Sequence, residues 1–552
     1  MHKNRFFLVA FAALAVSCRG CTDTGPDHIL DIPSANATTA VWFPEIGRLL
    51  GDADAFLGKA TAKVGGPLVT RMRQAVQNQL GFDPMQAEQW SALGIDPQGG
   101  ALLFTEPGTT EPILVIQLKD RGAFNSKLKQ IIEKSDGANR FTEAELHGFA
   151  TMTAGRPFGD EVVPVLHWAH VGRFVLLARE AGRNPWEAVL GRMATTTGSA
   201  QASLDTTTLH RDELYTRLSQ KAGRGAVQLF VRATAATDVF KSNPGPLSAG
   251  AATSITLDAN GFSSDTFLAL DVPGIDKAMQ HAPVRELAAK VEADAVFALF
   301  SRAARPEALA ALRHQPQLAT WLDQALPTIY AAVGLDVERE VVPLLSGPLT
   351  VSVHLADLTK ALEQAEQTRS LRTLVDTVHI VVIAELEKPE AFIAALEKAK
   401  ANLGKRNIRI ISSTRTVGES KALVFQPDIQ DPKLAWAVMG NQYIYAVGRG
   451  RLDKTLDGMT GKAGKGAGLT DALDAGVAKE LVKEPGTSVM VFRLPVLAEA
   501  ASTLTLGNRA SALGAGAVIG TGLELLKTLG DVAIAINAEE AGLRLRIREK
   551  LQ

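Results

Sequence analysis

Two histidines, His167 and His170, stand three residues apart in the sequence His-Trp-Ala-His and have the composition of a metal-binding pair. The apolar residues around them predict a strand. Side chains at positions i and i+3 of a strand point to opposite faces, so these two imidazoles cannot bind one ion. The remaining histidines are scattered, and no His-Glu-x-x-His motif occurs. We therefore interpret the pair as structural and predict no metal site.

Motifs that carry catalysis in other proteins are incomplete here. Ser126 and Lys129 match Ser-x-x-Lys, but the chain lacks the Lys-Thr-Gly sequence that accompanies it in penicillin-binding enzymes. The loop Gly458–Gly466 resembles a phosphate-binding loop, but neither of its Gly-Lys pairs is followed by Ser or Thr. No Gly-x-Ser-x-Gly sequence is present, which argues against an α/β-hydrolase. The sequence therefore predicts no catalytic residues and no cofactor.

The N-terminal residues have the order of an export signal. The basic segment His2–Arg5 precedes a short apolar segment, Phe6–Val16, and then Cys18. This order resembles a bacterial lipoprotein signal peptide, in which the chain is cleaved before a cysteine that becomes acylated. Ala15 stands where leucine is commonest in that motif. We predict a signal peptide over residues 1–17, lipidation of Cys18 and a flexible tether over residues 18–39.

A second interpretation of the same residues is ordinary secretion. Ala13-Leu-Ala15 fits the small-x-small site of signal cleavage, which would release a soluble protein. Cys18 and Cys21 would then be free to form a small disulfide loop. A redox Cys-x-x-Cys pair normally lies between a strand and a helix, and the residues that flank these cysteines predict neither. The location is therefore the cell envelope, lipid-anchored, with secretion as the alternative.

The bulk composition bounds the partners. The chain has 552 residues, so two or three domains are expected. Its formal net charge is −1, which gives no overall field to attract nucleic acid. We therefore expect contact with the membrane through the N-terminal lipid, an unknown envelope protein or lipid as the partner, and no nucleic acid.

One stretch of the chain occurs twice. Ile113–Phe124 predicts a strand that leads directly into a helix, and Val381–Phe392 predicts the same. Phe124 and Phe392 are 268 positions apart, as are Trp168 and Trp436. The order of the other predicted strands also recurs. We therefore predict an internal duplication.

The predicted fold is α+β, with two tandem similar lobes, each an antiparallel sheet with amphipathic helices packed on one face. After Asp120, the apolar residues recur at helical spacing and form one stripe, which should face the sheet. The predicted boundaries are 40–272 for the first unit, 273–284 for a linker and 285–552 for the second unit.

The last predicted strand carries alternating cations. Arg544, Arg546 and Arg548 alternate with apolar residues, which predicts a half-buried strand with a cationic outer row. A solvated or salt-bridged face is one interpretation. The other is contact with an anionic partner or a lipid headgroup.

The segment Gly334–Val353 resembles a family of uncharacterised bacterial envelope proteins that carry a domain of unknown function and are often predicted lipoproteins. In that family a Gly-Leu-Asp segment also leads to a turn, a strand and then a strand-helix unit like Val381–Leu403. The resemblance implies an exported α+β protein and defines no catalytic residues.

Three classes of function follow from these observations. The first is a non-enzymatic envelope lipoprotein that binds or scaffolds a partner. The second is a carrier or chaperone for a lipid or a hydrophobic peptide, which requires an apolar cavity. The third is a hydrolase whose site assembles from distant residues and leaves no local motif.

Overall fold

The structure is a computed structural model. It describes residues 26–62, 82–198, 208–233, 247–270, 284–302, 316–355, 377–430, 432–459, 468–473, 488–505, 527–539 and 542–551, together with positions 70, 73–74, 77–78 and 276. The chain divides into two compact units, residues 1–269 and 270–552.

Unit 1 contains the first ten strands and five α-helices of the described residues. The strands are β1 (Thr39–Phe43), β2 (Ala101–Thr105), β3 (Ile113–Gln117), β4 (Arg140–Leu146), β5 (Phe149–Phe158), β6 (Glu161–Val171), β7 (Phe174–Arg179), β8 (Val227–Arg232), β9 (Leu247–Asp258) and β10 (Gly261–Leu270). The helices are α1 (Ile46–Ala62), α2 (Ala87–Ala92), α3 (Arg121–Asp136), α4 (Arg183–Gly198) and α5 (Glu213–Ala222).

The strands of unit 1 pair in the order β10–β9–β8–β1–β2–β3–β7–β6–β5–β4. Helix α3 connects β3 to β4. It begins after Asp120, whose side chain accepts a hydrogen bond from Ala123 N at 2.9 Å, and ends at Gly137 with φ +65°. The start after Asp120 is the one predicted from the sequence. The aspartate cap and the left-handed glycine satisfy unpaired backbone groups at the two ends of the helix.

Unit 2 contains the other ten strands. They are β11 (Ala295–Ser301), β12 (Leu345–Leu355), β13 (Val378–Leu386), β14 (Ile410–Val417), β15 (Ser420–Pro427), β16 (Leu434–Met439), β17 (Gln442–Val447), β18 (Ser488–Phe492), β19 (Leu529–Glu539) and β20 (Gly542–Leu551). The helices are α6 (Val284–Ala289), α7 (Pro316–Val333), α8 (Pro389–Gly404), α9 (Arg451–Met459), α10 (Leu469–Ala472) and α11 (Leu494–Thr505), with a π-helix at Val337–Val341.

The strand pairing of unit 2 repeats that of unit 1. Its order is β20–β19–β18–β11–β12–β13–β17–β16–β15–β14. Val115 lies opposite Leu176 in unit 1, and Ile383 lies opposite Ile444 in unit 2. Each residue of the second pair stands 268 positions after its counterpart. The spacing seen in the sequence is therefore also a spacing in hydrogen-bond register.

The core of unit 1 lies on both faces of its strands. On β3, Val115 packs in the same buried cluster as Trp186 of α4. Its neighbour Ile116 points the other way and packs with Phe124 of α3. In unit 2, Ile383 of β13 packs with α9 residues, and a separate cluster joins the end of β13 to α8. Helices therefore cover both faces of these central strands.

The predicted fold class, two α+β lobes each with helices on one face of its own sheet, is wrong. Each unit instead contains a ten-stranded antiparallel sheet, and helices cover both faces of its central strands. In the part of the chain that the structure describes, 43% of residues are in strands and 36% in helices. The reason is visible in Ile113–Ile116, a continuous apolar run with all four residues buried. A strand covered on one face alternates apolar and polar residues, whereas one covered on both faces is apolar throughout.

Part of the predicted tether is packed. Of residues 18–39 the structure describes 26–39, and there Ile29, Leu30 and Ile32 are buried in the core of unit 1. Burial of three large apolar side chains holds the segment in the core of unit 1. The prediction of a flexible tether is therefore wrong for these residues. The predicted signal peptide 1–17 and Cys18 lie outside the described residues. So does the predicted linker 273–284, apart from positions 276 and 284.

Candidate functional site

The β5–β6 hairpin extends past the neighbouring strand. The first residue of β4, Arg140, lies opposite Gly155, whereas β5 continues through Pro157 to Phe158. Phe158 pairs with Glu161 of β6, and Gly159 has φ +62° in the turn. A glycine in this conformation allows the tight reversal between two long strands. The end of the hairpin is therefore a pair of strands that β4 does not flank.

Three large apolar side chains at this end are open to solvent. Phe158 is 74% exposed, Val162 51% and Val163 45%. The charged residues Asp160 and Glu161 are exposed beside them. We call Phe158, Val162 and Val163 the apolar tip. Phe158 and Val163 lie on one face of the hairpin and Val162 on the other, because Phe158 pairs with Glu161 whereas Val162 pairs with Pro157. Single exposed apolar residues are ordinary, but several together on a projecting element are typical of a surface that binds a partner.

His167 lies in a hydrogen-bonded chain on one face of the sheet. Its Nδ1 is 2.9 Å from Thr153 Oγ1, and its Nε2 bonds to Glu180. A hydroxyl, an imidazole and a carboxylate in this order form the arrangement that hydrolases use. However, His167 is only 2% exposed, and the Trp186 ring packs 5.7 Å from the imidazole. A buried imidazole beneath an indole is not open to a substrate, so we interpret this chain as structural.

Sequence reasoning missed this hydrogen-bonded group because Thr153 and His167 lie on two different strands, Glu180 follows a third, and the three residues share no motif. At the positions 268 residues later, unit 2 has Ala435 for His167 and Gly448 for Glu180. The hydrogen-bonded group of Thr153, His167 and Glu180 therefore has no counterpart at these positions of unit 2.

His170 lies on the opposite face, as predicted, and contacts α3. Asn125 Oδ1 accepts hydrogen bonds from Trp168 Nε1 at 3.0 Å and from His170 Nε2 at 2.8 Å. The proton of the neutral imidazole is therefore on Nε2. Among the described residues, the buried Nδ1 of His170 has no hydrogen-bond partner. Burial, with a smaller contribution from the charge of Arg121, lowers the pKa of His170 to about 4.

This environment should make unit 1 sensitive to acid. The folded pKa lies below the ordinary value, so His170 stabilises the fold fully above pH 6.5, and the contribution is lost as the pH falls towards 4. The loss should be on the order of 3 kcal/mol. We expect His170→Gln, which keeps a donor for Asn125, to remove this part of the pH dependence. Urea unfolding at pH 7 and pH 4.5 measures it. Equal pH dependence in wild type and variant would contradict the assignment.

Unit 2 contains the densest group of ionisable side chains that the structure describes. The guanidinium of Arg451, at the start of α9, lies 2.8 Å from Glu292 Oε2 and 3.1 Å from Asp294 Oδ2. Lys454 Nζ lies 2.5 Å from the same Asp294 oxygen. His354 Nδ1 lies 2.6 Å from Arg451 Nη2 and 2.7 Å from Asp294 Oδ1. We call these five residues the ion cluster. It links α9 to β12 and to the segment that immediately precedes β11.

The charges of the ion cluster balance. Burial, the largest cause, lowers the pKa of His354 and keeps the imidazole neutral at pH 7. Burial alone would raise the pKa of Asp294, but hydrogen bonds from His354, Arg451 and Lys454 hold it well below its usual range. Two carboxylates therefore face two cations.

A metal ion is a poor fit for this cluster. Ligand atoms of Glu292, Asp294 and His354 lie within 4.8 Å of one another, as a metal site requires. However, Arg451 already occupies the space between the carboxylates and is 3% exposed. An incoming cation would leave a buried guanidinium without its partners, which costs several kcal/mol. The ion cluster is therefore suited to holding α9 in place and not to binding a metal ion.

Unit 1 has a different polar contact at the position that corresponds to His354 of β12. Glu106 stands where His354 stands in unit 2, because Leu102 pairs with Val115 as Thr350 pairs with Ile383. Its carboxylate accepts from Ser34 N at 2.9 Å and lies 3.2 Å from Arg192 Nη2. Both units therefore form a polar contact at this position, but with different side chains. Such a difference is expected of a structural contact and not of a catalytic site.

The predicted cationic row lies on β20. Arg544 forms an ion pair with Glu539 across the β19–β20 hairpin, with Nε and Oε1 2.6 Å apart. Arg546 and Arg548 are half-buried and contact other groups of the protein. The structure therefore favours the salt-bridged interpretation for Arg544. Contact with an anionic partner stays a prediction for the row.

One further prediction concerns residues that the structure describes only in part. Most of the loop Gly458–Gly466 lies outside the described residues. Among the helices that are described, none is both long enough and apolar enough to cross a membrane.

A scan against protein-family models found no match, and searches of curated proteins and of solved structures found none either. The resemblance of Gly334–Val353 to bacterial envelope proteins therefore stays a prediction.

Proposed function

We propose that this protein is a non-enzymatic protein of the cell envelope that binds a protein partner through the apolar tip of unit 1. The observation that supports the proposal is the exposure of Phe158, Val162 and Val163 together at the end of a projecting hairpin. Burying these side chains against a partner would remove apolar surface from water, at roughly 25 cal/mol per Å².

A protein partner fits the tip better than a lipid bilayer. Asp160 and Glu161 lie in and next to the turn and are exposed there. A hairpin that entered a bilayer would carry these carboxylates into the hydrocarbon first, which is costly. A protein surface can instead offer donors for the carboxylates around an apolar centre, which is the usual arrangement of an interface.

The proposed location follows from the N-terminus. Cys18, at the end of an export signal, would carry the lipid that holds the protein on a membrane, with secretion as the alternative. A lipid anchor concentrates the protein at the surface where an envelope partner is found. A single acyl chain gives only marginal binding, so lipoprotein-type acylation with several chains is the form that suits stable anchoring.

Site-specific photocrosslinking tests the proposal. A photoreactive phenylalanine analogue at position 158, in cells that express the full chain, should yield one discrete adduct with a protein. Val163→Asp changes the same face of the hairpin as Phe158 and should abolish the adduct without changing the melting temperature, because Val163 is exposed. The analogue at the exposed position of Lys127, on α3, is the matched control. The same fractions test the anchor, since Cys18→Ala should move the protein from the membrane fraction to the soluble fraction.

Two results would contradict the binding role of the tip. One is the same adduct from position 127. The other is an adduct at position 158 that persists in Val163→Asp. Recovery of the wild-type protein in the soluble fraction would favour secretion over the lipid anchor.

A further inference from the structure

Unit 2 exposes isoleucines at the end of its sheet that corresponds to the apolar tip. Strand β14 begins at Ile410, which lies opposite Pro427, the last residue of β15. The corresponding strands of unit 1 are β4 and β5, and the tip extends from the same end of β5. Ile408, just before β14, is 48% exposed, and Ile429, just after β15, is 63% exposed. Both units therefore expose large apolar side chains at an equivalent end of the repeated fold.

The backbone at this end of unit 2 is held in place by hydrogen bonds. Helix α8 ends in a turn in which Asn407 has φ +63° and Ile408 N donates to Leu403 O at 3.1 Å. Across the strand pair, Asp428 N donates to Arg409 O at 2.8 Å, and the two side chains form an ion pair at 3.1 Å. The two isoleucines flank these contacts, so a partner would meet ordered backbone and lose less entropy on binding.

The free charges at the two ends have opposite signs. Lys405 and Arg406 are exposed beside the isoleucines, and among the described residues neither forms an ion pair; Lys405 Nζ contacts the neutral Asn402 side chain at 3.3 Å. At the apolar tip, Asp160 and Glu161 are exposed, and in the part of the chain that the structure describes they have no ion pair either. We define the basic corner of unit 2 as Lys405, Arg406, Ile408 and Ile429.

The basic corner and the apolar tip match in both respects. On one face of the tip, Phe158 and Val163 accompany two free carboxylates, and the basic corner offers two isoleucines and two free cations. Joining the two surfaces would bury apolar groups on both sides and give every free charge a partner, as in a stable interface. An anionic lipid surface would attract the two cations, but it offers no partner for the acidic tip. A second copy of this chain accounts for both surfaces.

We propose that the apolar tip of one copy of this chain binds the basic corner of a second copy. The proposal rests on the function proposed above and names the partner that the tip binds. The contact is head-to-tail, because the two surfaces differ and belong to different units. A copy that binds through its tip keeps its own basic corner for another copy. Contacts of this kind build rings or open rows of copies.

Photocrosslinking between two differently tagged copies tests the proposal. One full-length copy carries the photoreactive phenylalanine analogue at position 158, and the second, expressed in the same cells, carries the other tag. We expect an adduct that contains both tags. Ile429→Asp in the second copy should reduce this adduct about tenfold or more, because the new carboxylate would face the acidic tip. The same substitution in the copy with the analogue should not reduce it, because that copy contributes its tip.

Exchange of charges tests whether the two surfaces meet directly. Lys405→Glu with Arg406→Glu in the second copy should reduce the two-tag adduct about tenfold or more, because like charges would then face each other. Asp160→Lys with Glu161→Lys in the copy with the analogue should restore it. Tyr330→Asp in the second copy is the matched control, since Tyr330 is 58% exposed on α7 of the same unit. It should leave the adduct unchanged.

The outcomes separate this proposal from the function on which it rests. Adducts of position 158 with another protein, and never with the second tag, would overturn the second copy as the partner and leave the binding role of the tip intact. An adduct with lipid, or no adduct, would overturn both. A two-tag adduct that persists in Ile429→Asp and in the charge-reversed copy, or that is lost equally in Tyr330→Asp, would overturn the basic corner as the docking surface.

Discussion

Replacing Arg451 by methionine should lower the free energy of unfolding of unit 2 by about 3 kcal/mol. Arg451 is 3% exposed and holds Glu292 and Asp294 together. Methionine fills much of the same volume but leaves two carboxylates facing each other without their central cation. Breaking a buried ion pair from one side costs about 3–5 kcal/mol, and partial exposure of Asp294 favours the lower end.

Lys454 provides the matched control, since it contacts the same two carboxylates from the outside. Its side chain is 57% exposed, and exposed ion pairs contribute about 0–1 kcal/mol. Lys454→Met should therefore change the unfolding free energy by less than about 1 kcal/mol. Equilibrium unfolding in urea measures both variants. If both lose the same amount, the central position of Arg451 in the ion cluster is not what stabilises the unit.

Phe124→Ala should destabilise unit 1 by about 3–5 kcal/mol. Phe124 is 0% exposed and packs between α3 and the sheet, in the cluster that includes Trp168. Its removal leaves a cavity in a tightly packed core, and the cost of such cavities has this size. Phe392→Ala in unit 2 should act in the same direction, because Phe392 is buried against Val438 and the end of β13.

The exposed phenylalanine of the hairpin provides the comparison. Phe158→Ala removes the same atoms from a side chain that is 74% exposed. It should change the unfolding free energy by less than about 0.5 kcal/mol. Chemical denaturation followed by tryptophan fluorescence reports all three variants. A loss below about 1 kcal/mol for Phe124→Ala would show that the core around α3 collapses to fill the space.

The sequence predicts the central strands and the helix of each unit well. The strand at Ile113, the cap at Asp120 and the buried Phe124 are confirmed. The hairpin in which Val171 pairs with Phe174 turns at Gly172, which has φ +52°. Each of these elements has a strong local signal, an apolar run, a capping side chain or a two-residue turn, and tertiary packing acts in the same direction.

The β4–β5 and β14–β15 hairpins were not predicted, and the reason is their composition. Strand β4, at the edge of unit 1, is largely exposed. A strand that buries little needs few apolar residues, so its periodicity is weak. The turn into β5 contains His147 with φ +53°, a conformation that histidine adopts less readily than glycine or asparagine. Strand β14 of unit 2 is also exposed over most of its length, so its apolar periodicity is weak as well.

The polar clusters were beyond sequence reasoning for another reason. Asp294 and Arg451 are 157 positions apart, and Glu106 and Arg192 are 86 apart. Only the pairing of β11 with β12 and the placement of α9 bring the first pair together. The exposed tip could have been suspected from the neighbouring residues Val162 and Val163, but its exposure depends on β4 beginning at Arg140. Such contacts follow from topology and leave no local pattern.

Pro157 gives the hairpin a property of its own. It lies on the part of β5 that extends past β4, where the strand would otherwise present a continuous row of donors to another molecule. Proline has no N–H, so an incoming strand loses a hydrogen bond there, and the acidic turn beside it adds charge. The β5 edge of the hairpin is therefore a poor template for an added strand. Recognition along this edge depends on side chains more than on backbone pairing.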